Sequence, residues 1–167
     1  TSTTVYTAWV LPTEFYSQMV STTSDWGIIY CYTYNGSTLI GTSSCKFTAT
    51  VNEAVSRPTI TATITDQNTI TRALTGDSTI LVRYYSTAYV SMTASAHNSA
   101  SLVSQSITNG NATYQTSAAT FTNIENGVFS FSATDSRGFT TTVGRNLITA
   151  NKFVPYERLT CNIENTK

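Results

Sequence analysis

Apolar residues in this chain recur at every second position in short runs separated by turn dipeptides, a pattern with few outcomes besides antiparallel sheet. Ile60, Ala62 and Ile64 share one face of an extended backbone, Ile80, Val82 and Tyr84 another, and Val90, Met92 and Ala94 a third. Phe129, Phe131 and Ala133 lie across an Asp135-Ser136-Arg137-Gly138 turn from Phe139, Thr141 and Val143, which predicts a hairpin with one apolar side. Gly138 is expected in the left-handed region, completing a bulge. Asn35-Gly36, Asn109-Gly110 and Asn126-Gly127 mark further tight turns, because Asn-Gly adopts positive φ at little cost. Thr and Ser make up about a third of the residues, and the β-branched Thr suits an extended backbone while offering water an uncharged hydroxyl. Helix is expected to be nearly absent.

Charge narrows the partners. With 11% charged residues, nine basic and nine acidic, the chain has no electrostatic footprint for nucleic acid or an anionic membrane, and neither is expected as a partner. No apolar run approaches the ~20 residues that span a bilayer, and no basic-then-apolar leader opens the sequence. Cys31, Cys45 and Cys161 are too few and too irregularly spaced for a disulfide framework or a zinc site. Cys31 and Cys45 flank a candidate hairpin, so a bridge between them is one reading; free buried thiols are the other, and the favoured one.

A faint internal echo suggests how the chain is divided. Phe47-Thr48-Ala49-Thr50-Val51-Asn52-Glu53-Ala54-Val55, followed by Ile60-Thr61-Ala62-Thr63-Ile64, recurs loosely 99 residues later as Asn146 to Val154 followed by Leu159-Thr160-Cys161-Asn162-Ile163. In an all-β chain, a period of about 100 residues is one small sandwich per repeat. Arg57-Pro58 and Val154-Pro155 precede the repeated strands, where proline fixes φ and removes a donor. The expected organisation is a short β unit over 1–55, the C-terminal part of a preceding repeat, then a complete antiparallel sandwich over 56–155. Residues 156–167 would begin a further repeat or supply an edge strand, so the chain reads as a slice of a tandem array.

Several of these motifs occur together in a known family. Trp9-Val10-Leu11-Pro12-Thr13-Glu14-Phe15-Tyr16, the hairpin at Tyr34-Asn35-Gly36 with Ile40-Gly41, Ala73-Leu74-Thr75-Gly76, Tyr84-Tyr85-Ser86-Thr87-Ala88, Asp135 to Thr141 and Phe153-Val154-Pro155-Tyr156 are the segments concerned. In them the chain resembles the immunoglobulin-like repeats of tail-associated minor structural proteins of long-tailed phages infecting Gram-positive bacteria. The resemblance implies tandem immunoglobulin-like antiparallel β-sandwich modules, a non-enzymatic spacer or adhesion-supporting role, and synthesis in the host bacterial cytoplasm before assembly into the virion tail. It implies other tail proteins or further repeats as partners, and carries no catalytic residues onto this sequence.

Residues capable of chemistry are sparse. His97 is the single histidine, which by itself assembles neither a triad nor a metal site, and is expected at a strand end. Asp66, Asp77, Asp135 and Glu157 fall in turns or strand ends, where carboxylates bond nearby backbone amides. Asp66-Gln67-Asn68 lacks the acidic density of a calcium loop. No cofactor and no metal is expected.

The candidate binding surface is aromatic. Tyr30, Tyr32 and Tyr34 alternate with Ile29, Cys31 and Thr33, so one set faces the core and the other does not. If the tyrosines face out, they form a strip able to stack on host cell-wall saccharide; if they line a core edge, which is the favoured expectation, the strip is structural. Tyr85 and Tyr89, opposite in phase to Val82 and Val90, are a second candidate. A carbohydrate-binding module is therefore the alternative to the spacer.

Overall fold

Strand β9 (Val128–Asp135) shows why the chain folds as sheet: Phe129, Phe131, Ala133 and Asp135 are buried and the residues between them are not. The computed structural model describes residues 12–156. Strands dominate them, and the three helices, α1 (Thr13–Tyr16), α2 (Glu53–Ser56) and α3 (Thr69–Thr75), are short. The chain divides into two compact units. Of the described residues, one gathers 12–59, 95–103 and 134–140, and the other 60–94, 104–133 and 141–156.

The larger unit carries β3 (Thr59–Asp66), β5 (Ala88–Ser95) and β8 (Ala118–Phe121) in one three-stranded sheet, in the order β3-β5-β8. A four-stranded sheet runs β10-β9-β6-β7, where β6 is Leu102–Asn109, β7 Ala112–Tyr114 and β10 Thr140–Asn146. Val90 and Met92 of the first sheet and Ile107, Phe129 and Phe131 of the second are buried. Phe121 meets Phe129 edge to face at 5.6 Å, so the aromatic core joins the two sheets.

A third pairing departs from the sequence reading. Ile80, Val82 and Tyr84 do not share a strand face. Instead β4 is the dipeptide Leu81–Val82, both residues buried, in parallel pairing with β11 (Phe153–Val154). A two-residue parallel strand covered on both sides has no alternation to display. Tyr84 then enters the left-handed region at φ 65° within the turn that follows Val82, its N–H donating to the Ile124 carbonyl at 2.9 Å.

The Asn-Gly turns are displaced by one residue. Asn109 ends β6 and pairs with Ala112, leaving Gly110-Asn111 as the two-residue turn, with Gly110 at φ 57°. Gly127 is no turn residue at all: the positive φ lies at Asn123. A Cβ on Gly127 would fall 2.8 Å from the Phe153 ring, so close packing explains that glycine. Helix α3 was not expected, although its signals are local. The Asn68 side chain accepts from the Ile70 and Thr71 N–H groups, and Gly76 closes the helix at φ 69°.

Two acids in this unit, Asp66 buried and Asp77 half-buried, hold turns. Asp66 accepts from the N–H groups of Asn68 (3.0 Å) and Thr87 (3.1 Å) and from the Ser86 hydroxyl (2.7 Å), and also from the Thr71 hydroxyl. Asp77 accepts from the N–H and hydroxyl of Thr79, which with the charge of Lys152 hold its carboxyl below the ordinary value.

The smaller unit is built on hairpin β1 (Ser24–Asn35) and β2 (Thr38–Thr50). Its core is Met19, Ala49, Val51 and Phe139, with Tyr16 and Phe47 packed against it. The expected turn at residues 135–138 forms here with Gly138 at φ 87°. Asp135 Oδ1 accepts from the N–H groups of Arg137 (3.0 Å) and Phe139 (2.9 Å). The Arg137 side chain is fully buried and donates to four backbone carbonyls: Met19 (2.7 Å), Tyr16 (2.8 Å), His97 (2.9 Å) and Asn98 (2.6 Å). Asp135 Oδ2 lies 3.8 Å from its Nη1 and balances the charge without a hydrogen bond.

Three outcomes test this architecture by urea unfolding. Phe131→Ala, at a fully buried ring, is expected to cost about 3–5 kcal/mol, whereas Thr134→Ala, which loses an exposed hydroxyl pair with Thr140, costs under about 1 kcal/mol. Arg137→Met strands four carbonyls and the Asp135 charge, and is expected to cost about 3–5 kcal/mol. Asp77, with its folded pKa depressed, stabilises above the ordinary carboxylate range and loses that contribution as pH falls through the folded value. Asp77→Asn therefore flattens the acid side of a stability profile taken from about pH 5 to about pH 2.

Candidate functional site

Register fixes which residues share a face of the β1–β2 hairpin, because directly opposed residues in an antiparallel pair project to the same side. Trp26 opposes Thr48, Ile28 opposes Lys46, Tyr30 opposes Ser44, Tyr32 opposes Thr42 and Tyr34 opposes Leu39. Large side chains thus line β1 on this face and small hydroxyl residues line much of β2. On the other face Gly27 opposes Phe47, Ile29 opposes Cys45, Cys31 opposes Ser43 and Thr33 opposes Gly41.

The hairpin stands on its second face. Near its base Ala49 and Phe47 join the core cluster, and the Phe47 ring covers Gly27 so closely that a Cβ there would lie 2.5 Å from it. Beyond Gly27 the covering ends. Ile29 is 48% exposed, and Cys31 and Cys45 are exposed free thiols, not the buried ones expected. They are diagonal neighbours on one face, each directly opposite a different residue.

Neither face of the outer hairpin is core. This overturns the expectation that the tyrosines line a core edge, since Tyr30, Tyr32 and Tyr34 are 54%, 54% and 57% exposed. The reason is topological: among the described residues β1 and β2 form a two-stranded sheet of their own, with no third strand. The Tyr30 and Tyr32 rings stack at 6.3 Å and 21° between planes. Trp26, 64% exposed, extends the strip and carries the Lys46 ammonium 5.1 Å from its ring centroid. Strand parity alone would have found Trp26, four residues before Tyr30.

At the tip, Asn35 pairs with Thr38 around Gly36-Ser37, with Gly36 at φ 59°, the positive φ at the first central residue that a type II′ turn needs. One residue earlier the register shifts and Ile40 is left unopposed, a bulge that leaves its side chain 62% exposed.

The second pair of candidate tyrosines belongs to the other unit. Tyr85 is 43% exposed and meets Tyr156 edge to face at 4.6 Å. Tyr89 is 38% exposed on β5, opposite Thr120. That unit also carries a cavity of about 360 Å³ lined by Asn109, Asn111, Phe121, Asn123 and Asn126. The Asn109 amide is engaged, donating to the carbonyls of Asn126 (3.1 Å) and Val128 (2.9 Å). His97 follows β5 and serves through its carbonyl, which receives Arg137. Among the described residues no three His, Cys, Asp or Glu side chains gather as a metal site. Glu157 and Cys161 lie outside the described residues.

Thiol exposure gives a direct check on the hairpin. Cys31 and Cys45 are expected to be alkylated by iodoacetamide in the native chain at close to the rate of a free thiol, with peptide mass mapping as the readout. Protection of both until urea is added would place that face inside the fold.

No curated protein and no solved structure matches the chain. A family profile described as "Siphovirus protein of unknown function (DUF859)" matches residues 1–156. Nearly the whole chain is covered, and it belongs to this family of long-tailed phage proteins.

Proposed function

We propose that this chain is a non-enzymatic structural module of the virion, a tail-associated spacer built on an immunoglobulin-like sandwich. The observation that carries the reading is strand order. A three-stranded β3-β5-β8 sheet and a four-stranded β10-β9-β6-β7 sheet follow the A-B-E and G-F-C-C′ orders of an immunoglobulin-like fold, with Phe121 and Phe129 meeting between them. Family membership supports the phage setting. The use of the acids supports a structural role: Asp66 and Asp135 are buried and spend their oxygens on turn amides and hydroxyls or on Arg137.

A second reading, recognition of host wall polysaccharide, gains from one observation. The rings of Tyr30, Tyr32 and Tyr34 are exposed, as stacking on sugars requires.

Immunogold labelling of intact phage with antibody against the chain tests the first reading. Label along the tail is expected; label on the capsid, or a chain missing from purified virions, overturns it. Co-sedimentation with purified host wall tests the second, which requires binding that is lost in folded Tyr30→Ala and Tyr32→Ala variants.

A further inference from the structure

We propose that the Trp26–Tyr34 face of the β1–β2 hairpin is the contact with a second copy of this chain. The two hairpins stack face to face about a two-fold axis running along the strands, so that β1 of each lies over β2 of the other. This inference stands apart from the virion role and holds or fails without it.

Three observations point to it. A two-stranded ribbon is at best marginally stable in water, yet this one extends well past the core cluster with large apolar side chains on both faces. A partner present whenever the chain is folded would stabilise it, and a second copy meets that condition; two-fold homodimers are also the commonest soluble oligomers.

The face is also self-complementary in relief. Tyr30 and Tyr32 stand on β1 opposite the small Ser44 and Thr42 on β2. Rotation about an axis along the strands exchanges the two strands, so the rings of one copy settle over the hydroxyl residues of the other. An axis across the strands would set ring against ring. Tyrosine hydroxyls then meet Ser and Thr hydroxyls, each of which donates and accepts.

Area and charge agree. Trp26, Tyr30, Tyr32 and Tyr34 are each more than half exposed, and with Leu39 and the β2 hydroxyl residues they offer on the order of 700 Å² per chain, near the ~800 Å² each partner gives in a standard interface. On this face Lys46 is the single charge of the two strands, its ammonium drawn over the Trp26 ring at 5.1 Å, since Asp25 opposes Ala49 on the other face; the surface otherwise suits an uncharged partner such as itself.

Sedimentation equilibrium of the 167-residue chain tests this. A dimer at about 10 μM is expected. Tyr32→Thr removes a ring and Thr42→Tyr adds one beneath the partner's ring, so each alone should weaken self-association by about 30-fold or more. The double swap Tyr32→Thr/Thr42→Tyr restores the relief with the strands exchanged, and should restore the dimer. Alkylation of Cys31 and Cys45, which lie on the opposite face, should leave it intact. A wild-type monomer up to about 100 μM, a trimer, or a dimer indifferent to both single substitutions would overturn the proposal. So would dissociation on alkylation, or a monomer that binds wall saccharide through these tyrosines.

Discussion

Arg137 is the residue around which the smaller unit is organised. That unit draws on three separated stretches of chain, and its small apolar cluster of Met19, Ala49, Val51 and Phe139 offers little area to hold them. One planar guanidinium reaches carbonyls on two of those stretches, Tyr16 and Met19 on one, His97 and Asn98 on another, while standing on the third. Hydrogen bonds to a charged donor are individually stronger than neutral ones, and no aliphatic side chain could satisfy four carbonyls at once. Asn98 and Ser99 adopt φ of 51° and 62°, a conformation costly for residues with a Cβ. The carbonyls of His97 and Asn98 thereby turn toward the guanidinium, and the bonds they make offset the strain.

The opposite regime governs the outer hairpin. There the backbone pairing is complete but the side chains are left to solvent, because no segment of the described chain adds a third strand. Its base is fixed by Phe47 seated on Gly27 and by Ala49 in the core. A ribbon rooted in this way presents its aromatic strip in a set orientation. Ordering costs on binding are lower for a preorganised surface, which suits it to a contact between proteins.

Sequence legibility followed the same division. Where a strand is half covered, alternation was read correctly: Phe129, Phe131 and Ala133 are buried, and Ile60, Ala62 and Ile64 are half-buried in phase. Gly138 and the Asp135 turn were equally readable, since their chemistry is local. Period-two reasoning failed at β4, where Leu81 and Val82 are both covered, and at the hairpin, where neither face of its outer part is. Alternation reports that two faces differ, and says nothing of whether either has something to pack against. The role of Arg137 is illegible for a related reason: a buried arginine in a turn is recognisable only once the distant carbonyls it serves are known.

The tyrosine strip shows what such a pattern can still decide. Parity placed Tyr30, Tyr32 and Tyr34 on one face, and register adds that their opposite numbers are Ser44, Thr42 and Leu39. A core-facing strip would need large partners across the strand to fill its layer, since interiors are packed without voids. Ser44 and Thr42 leave depressions beside the Tyr30 and Tyr32 rings, a shape wasteful in a core and useful on a surface that meets a complementary one. The small residues of β2, more than the tyrosines themselves, are what the proposed contact with a second copy rests on.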